Sequence, residues 1–182
     1  MKNNLRKIAK EKRKQIFCSA FDLKIKQNLF DLEEYKKAKN IMCYYSFGSE
    51  VSTLEFFSDK TKNWYLPRID CDDLLVCPYI ENEFLENKYK ILEPKTIPIV
   101  DLSIVDMVII PALCADKNGY RVGYGKGYYD RFLKKLSKSC KKVILVYSDL
   151  LFDTVYPEFH DEKADYIVTE LNILNLNVKK QL

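Results

Sequence analysis

Apolar and polar positions alternate with two different periods along this chain, and the changes of period mark out its elements. From residue 3 to about residue 38 the apolar residues recur at helical spacing (Leu5, Ile8, Ala9, Ile16, then more after Ala20), which predicts helix. IMCYYSF (41–47) is a β-rich run and predicts a strand. Ser52 or Thr53 is placed to cap a helix that opens near Glu55. WYLPRI (64–69) and LLVCPYI (74–80) predict short strands, each limited by a proline. Residues 81 to 101, with Pro94 and Pro98, predict a loop. VDMVIIPAL (105–113) and KVILVYS (142–148) are near-continuous apolar runs, the mark of strands buried on both faces. YYDRFLKKLSKS (128–139) between them predicts a helix, and YIVTE (166–170) a last short strand. Strands that alternate with helices imply an α/β fold: one three-layer, Rossmann-like domain over residues 1–182, its mostly parallel sheet covered by helices on both faces.

Composition agrees. Of 182 residues, 47% are hydrophobic and 31% charged, the balance of a folded domain and not of a disordered chain. No apolar run reaches the roughly 18 residues that span a bilayer. The start, MKNNLRKIAKEKRKQI, is basic without the apolar stretch of a signal peptide, so a cytoplasmic protein that does not engage membranes is expected. Six cysteines without a C-x-x-C pair, beside a single histidine, argue for reduced thiols and against a zinc site. The net charge of +4 is uneven. Residues 1 to 14 hold seven basic side chains against Glu11, a local +6, which leaves −2 for the rest. A basic start on a mildly acidic body suits an anionic ligand near the N-terminus. Most of these lysines read as a solvated helix face. A nucleic-acid partner is not expected, because the body is net acidic and the tyrosines are scattered.

Four of the five glycines fall within GYRVGYGKGYYDR (119–131), beyond the carboxyl end of the 105–111 strand, where open α/β sheets place ligands. Without Cβ atoms, Gly123, Gly125 and Gly127 let backbone N–H groups approach an anion, a helix N-terminus follows, and Lys126 adds a full charge. Together these suit a phosphate. Asp130 could hold Mg²⁺ beside it, since that ion takes one or two carboxylates plus phosphate oxygens. Arg131 could pair with a phosphate or with a nearby carboxylate. The loop is neither a Walker A loop (Gly127 stands where Ser or Thr is needed) nor the dinucleotide fingerprint, whose third glycine is replaced by Tyr128. A tight strand-to-helix connection without a ligand is the plain alternative.

RVGYGKGYYDRFL resembles the signature of the 5-formyltetrahydrofolate cyclo-ligase family. KNNLR, YYSFGSEVST, WYLPRI, ILEP and HDEKADYIVTE resemble further motifs of that family in the same order, so the likeness covers nearly the whole chain. Lys126 departs from the glycine that many members carry there. The resemblance implies an ATP- and Mg²⁺-dependent enzyme that cyclises 5-formyltetrahydrofolate to 5,10-methenyltetrahydrofolate, releasing ADP and phosphate through a phosphorylated formyl group. It implies ATP contacts from Lys2, Arg6 and the loop Arg121, Gly123, Tyr124, Gly125, Lys126, Gly127, Tyr128 and Tyr129, with Tyr124 and Lys126 at the reacting group. It implies substrate contacts from Phe47, Glu50, Tyr124 and Tyr128, and metal contacts from Asp130 and Asp165. Glu93 is also retained. Trp64 reads as core, and His160 as a partner in a local hydrogen bond with its neighbour Asp161. A monomer is expected. A non-catalytic nucleotide-binding homologue, or another ATP-dependent ligase on this scaffold, are the alternatives.

Overall fold

A computed structural model describes residues 1–16, 18–87 and 91–177. Its centre is a seven-stranded sheet in the order β12-β11-β9-β6-β1-β2-β3. The interior is parallel: β1 (Asn40–Cys43), β2 (Asn63–Asp70), β6 (Met107–Ile110), β9 (Lys141–Leu145) and β11 (Tyr166–Val168). Both edges are antiparallel, β3 (Asp73–Pro78) on β2 and β12 (Ile173–Asn175) on β11. Successive side chains of a strand point to opposite faces. Met107, Val108, Ile109 and Ile110 are all fully buried, so both faces of β6 are covered, as its apolar run predicts. The same holds for Val143–Leu145 and for Ile167–Val168.

The predicted N-terminal helix is three: α1 (Lys2–Ile16), α2 (Ser19–Asp31) and α3 (Glu33–Lys37), with Cys18 and Leu32 in extended conformation as N-caps. Two extended residues change the direction of the chain without a proline or glycine. α2 packs against β11, and α4 (Tyr128–Leu133) against β3. α4 is shorter than predicted, with Lys134 as its C-cap. β1 ends at Cys43, so residues 44–47 of the predicted strand form the start of a loop. Thr53 precedes a 3₁₀ turn (Leu54–Ser58) but does not cap it, because its hydroxyl donates to Tyr44 O and accepts from Ser46 N–H. Pro67 does not limit β2. It lies beyond Tyr65, the last residue paired to β1, where a missing N–H costs no ladder bond.

The stretch 81–101 is less irregular than predicted. It carries a hairpin of β4 (Phe84–Glu86) and β5 (Leu92–Pro94), tied to β2 by Arg68, which donates to the carbonyls of Pro94 and Thr96. A second small sheet, β10-β7-β8 (Leu151–Phe152, Cys114–Asp116, Arg121–Val122), follows β6. Its hairpin brings Val122 back beside Leu113, whose N–H donates to Val122 O. Gly119 makes that hairpin's turn: at φ +98° a Cβ would stand 2.5 Å from Leu176. Its role is packing, apart from the loop that follows. Gly123 thereby starts the glycine loop at the carboxyl end of β6. Trp64 is core, its ring edge-on to Phe57 and its indole N–H on Asp59 O.

Candidate active site

One cavity of about 840 Å³ opens at the carboxyl ends of the central strands. Its polar lobe is lined by Lys2, Arg6, the loop from Arg121 to Asp130, and Glu158, His160 and Asp161. Its apolar lobe is lined by Tyr45, Phe47, Pro67, Ile69, Leu74, Ile91 and Leu92, with Glu93 among them. Glu50 and Tyr124 line the same cavity and are bonded to each other.

α1 lies across the polar lobe. Residues 2, 6, 9 and 13 share one helical face, and three of these are cationic. Lys2 pairs with Asp161. Burial pushes the Asp161 carboxyl up, but that ammonium and the Glu158 N–H more than offset it and leave the carboxyl below its usual range. Arg6 donates through Nε to Gly123 O at 3.0 Å. Arg13 is 5% exposed. Its guanidinium donates to Ser49 Oγ (3.0 Å), to Tyr124 Oη (2.8 Å) and, at a longer 3.4 Å, to Ala112 O. Lys7, Lys10, Lys12 and Lys14 are exposed, as the solvated-face reading has it; Arg13 is not.

The glycine loop keeps its backbone open on the cavity side. Gly125 has φ +96°, a conformation that favours glycine, and a Cβ there would meet the Arg6 guanidinium at 3.1 Å. Lys126 is exposed and forms no ion pair among the described residues. α4 is only six residues long, so the positive charge here comes from Lys2, Arg6 and Lys126 more than from a helix end. Arg131 braces the loop, donating to Lys126 O and to Asp72 O in the β2–β3 turn. Tyr128 lines the cavity with its ring beneath Arg131. Tyr129 also lines it, and its buried hydroxyl has no hydrogen-bond partner among the described residues. An orphaned buried hydroxyl at a cavity wall is what a ligand or water would satisfy.

Glu50 sits at the junction of the two lobes. One oxygen accepts from Phe47 N–H at 3.0 Å and the other from Tyr124 Oη at 3.2 Å. Burial raises its pKa, and the backbone bond, Arg13 and Tyr124 pull it back only in part. Burial likewise pushes up the Tyr124 phenol, helped by Glu50, so it remains a hydroxyl donor. Phe47 is half exposed, its ring available to a flat ligand. Glu93 accepts from Ile69 N–H and from the Asn87 amide.

The two acidic residues expected at a metal part company. Asp130 lines the cavity, but one of its oxygens accepts from Arg121 (3.1 Å) and from Glu162 N–H (3.2 Å). Arg121 is buried in this pair, donates also to Glu162 O, and lines the cavity beside Asp130. Asp165 lies elsewhere. Its carboxylate accepts from Lys142 N–H and from Asn177, at the amino ends of β9 and β11, beside a separate depression. Among the described residues no three His, Cys, Asp or Glu side chains converge as a metal cage. Of the two, only Asp130 lines the cavity, where a single carboxylate could hold Mg²⁺ together with phosphate oxygens. His160 Nε2 lies 3.2 Å from Glu158 and 3.9 Å from Asp161, and it pairs with them only when protonated.

Arg13, Ser49 and Asp161 were not among the expected site residues. For Arg13 the signal was present: it falls eleven residues after Lys2 and seven after Arg6, on the same face of one helix.

The family model of the 5-formyltetrahydrofolate cyclo-ligase family matches residues 1–170. The chain belongs to that family. It is 31% identical over 169 residues to the 5-formyltetrahydrofolate cyclo-ligase of Mycoplasma genitalium, which covers 91% of this chain and 93% of that protein. It is 34% identical over 119 residues to the enzyme of that name from Haemophilus influenzae, a match that spans 60% of this chain and 64% of the relative's length. The solved structure of Aquifex aeolicus 5,10-methenyltetrahydrofolate synthetase superposes with a TM-score of 0.86 at 30% identity, covering 100% of this chain and 95% of that one. Membership in the cyclo-ligase family makes this an enzyme of the ligase class in folate metabolism. No helix among the described residues is long and apolar enough to cross a membrane.

Proposed function

We propose that this cyclo-ligase joins N10 to the formyl carbon of 5-formyltetrahydrofolate at the expense of ATP, and that the cavity holds both substrates end to end. The observation that carries this is the Tyr124 hydroxyl. It stands between a glycine loop flanked by Lys2, Arg6 and Lys126 and a half-enclosed carboxylate, Glu50, next to an apolar lobe. Phosphates suit the first lobe, and the N–H donors of a pterin suit Glu50. The retention of Glu50 and Glu93 in the apolar lobe counts against a homologue that has lost its substrate.

The formyl oxygen of a formamide is a poor leaving group. In this reading it takes the γ-phosphoryl group of ATP and ADP is released. N10 then attacks the formyl carbon, the carbon–oxygen bond breaks, phosphate leaves, and N10 gives up its proton as the ring closes to the methenyl cation. Such chemistry asks the protein for position and charge. Lys126 and the loop N–H groups hold the transferring phosphoryl group, Arg6 and Lys2 the rest of the nucleotide, and Tyr124 donates to the formyl oxygen or its phosphate. Bound Mg²⁺, carried on Asp130 and phosphate oxygens, would neutralise charge as it moves to the leaving ADP. Asp165 has no part in this. In this reading the enzyme works as a monomer in the cytoplasm, where ATP is supplied.

The test is the near-ultraviolet absorbance of the methenyl product, from purified protein with 5-formyltetrahydrofolate, with and without Mg-ATP. The expected outcome is an ATP-dependent rise with one ADP released per product. No rise from folded, nucleotide-binding protein would remove the folate reading.

A further inference from the structure

We propose that Arg13 is a positioning residue for this cyclisation: its guanidinium fixes the Tyr124 hydroxyl and holds the glycine loop in register with the Glu50 loop. The inference rests on the reading of Tyr124 and Glu50 given above.

Arg13 reaches three segments that are far apart in the chain. Ser49 lies in the loop that carries Glu50, Ala112 at the end of β6, and Tyr124 in the glycine loop. A planar guanidinium with five donors can do this from one place; an ammonium on a flexible stem cannot. All three direct partners are neutral. Arg13 forms no ion pair among the described residues, and Glu50 is one hydroxyl away, beyond Tyr124. A buried cation that lacks a carboxylate in contact is not explained as a stabilising ion pair.

The arrangement sets the hydroxyl's direction. Arg13 fills an acceptor position on Tyr124 Oη, and the phenolic proton points to Glu50. When a pterin donor takes over that carboxylate, the proton is released toward the reacting group while the oxygen stays held. Occupation of the Glu50 side thus arms the nucleotide side.

The groups that face Glu50 are Arg13 from α1, Tyr124 from the glycine loop, Tyr129 from α4, and Cys43 and Tyr44 from the end of β1. The phenols and the thiol are all pushed up, chiefly by burial, and stay neutral. Among these, Arg13 is the charge.

The experiment uses Arg13→Lys and Arg13→Gln, alone and combined with Tyr124→Phe, in the full chain. Arg13→Lys keeps the charge and loses the fork. We expect its kcat to fall about a hundredfold, the scale of a misplaced reacting group, while the acid limb of kcat/KM stays at its wild-type pH. Arg13→Gln loses both, and its acid limb moves to higher pH as the Glu50 carboxylate becomes harder to ionise. In the Tyr124→Phe background, Arg13→Lys should cost less than about twofold more, because residues that act through one another are non-additive. Equal losses in both backgrounds, or wild-type kcat in Arg13→Lys, would overturn the proposal. If Arg13→Gln does not fold, the Arg13→Lys cycle decides alone. Carboxyl ¹³C titration of Glu50 without substrate is the readout independent of turnover: an Arg13→Gln titration identical to wild type rejects the coupling even if the cyclo-ligase assay itself fails.

Discussion

At the amino ends of the parallel strands, carboxylates bond to backbone. Asp106 accepts from the N–H groups of Lys39 and Asn40, and Asp165 from that of Lys142. At the carboxyl ends, Glu50 and Asp130 each accept from one loop N–H, of Phe47 and of Glu162, and also from a side chain that lines the cavity, Tyr124 and Arg121. The first pair completes the hydrogen bonds of strand starts, as any buried amide requires. The second holds movable donors around a cavity. Acidic residue type is the same in both places; what separates architecture from site is whether the carboxylate closes the sheet's own strand starts or shares a cavity wall with a side-chain donor that a ligand could replace.

Substitutions at the two ends should therefore differ by orders of magnitude. Asp130→Asn is expected to lower turnover about a thousandfold, the scale of losing an electrostatic contact to the transition state. It should also cost about 2 kcal/mol in denaturant unfolding, since Arg121 keeps only weaker acceptors in a buried place. Near-normal kcat would take Asp130 out of the metal's surroundings.

Glu50→Gln should lower kcat/KM for the folate about a hundredfold, the cost of mispairing a polar contact, with little change in nucleotide KM. Its stability should move the other way. Burial raises the Glu50 pKa above its ordinary 4.5, so the folded chain binds that proton more tightly than the unfolded one. The stability this gives is complete below 4.5 and is lost as pH rises through the folded value. Glutamine carries no such term. The Tm of Glu50→Gln relative to wild type should thus be higher at neutral pH than at pH 4.5; the opposite trend would mean that Glu50 is stabilised as a carboxylate.

At the other end, Asp165→Asn should leave turnover unchanged and cost about 1 kcal/mol, one weakened hydrogen bond. A loss of activity on the scale of Asp130→Asn would return Asp165 to the site, as the family resemblance implies. Lys12→Gln and Lys14→Gln, exposed neighbours of Arg13, should change stability by less than about 0.5 kcal/mol and activity not at all.

Two of the buried parallel strands could be read from sequence because β6, and β9 beyond its two lysines, are apolar runs, the pattern that burial on both faces leaves. The edge strand β12 could not. Ile173–Asn175 is three residues long and only partly buried, so its pairing to β11 is decided by tertiary contact. The breaks after α1 and before α3 fall at Cys18 and Leu32, residue types that carry no break signal. The glycine loop, Glu50, Lys2 and Arg6 were legible as motifs. Asp165 was legible as a motif residue, but its place at the amino ends of β9 and β11 was not, since a motif gives order along the chain and not the end of the sheet. Arg13 was missed because an apolar stripe assigns charges to solvent by default, while a helix across a polar cavity turns charges inward.

The bond between Lys2 and Asp161 joins residues 159 positions apart. During synthesis, the helix that carries Lys2, Arg6 and Arg13 leaves the ribosome well before the loop that anchors its first turn. Non-local contacts of this kind form late, after their loop-closure entropy has been met by the rest of the fold. The sheet can therefore be complete while the cavity still lacks one wall, and a nascent chain caught at that stage would be folded, protease-resistant in its core, and inactive.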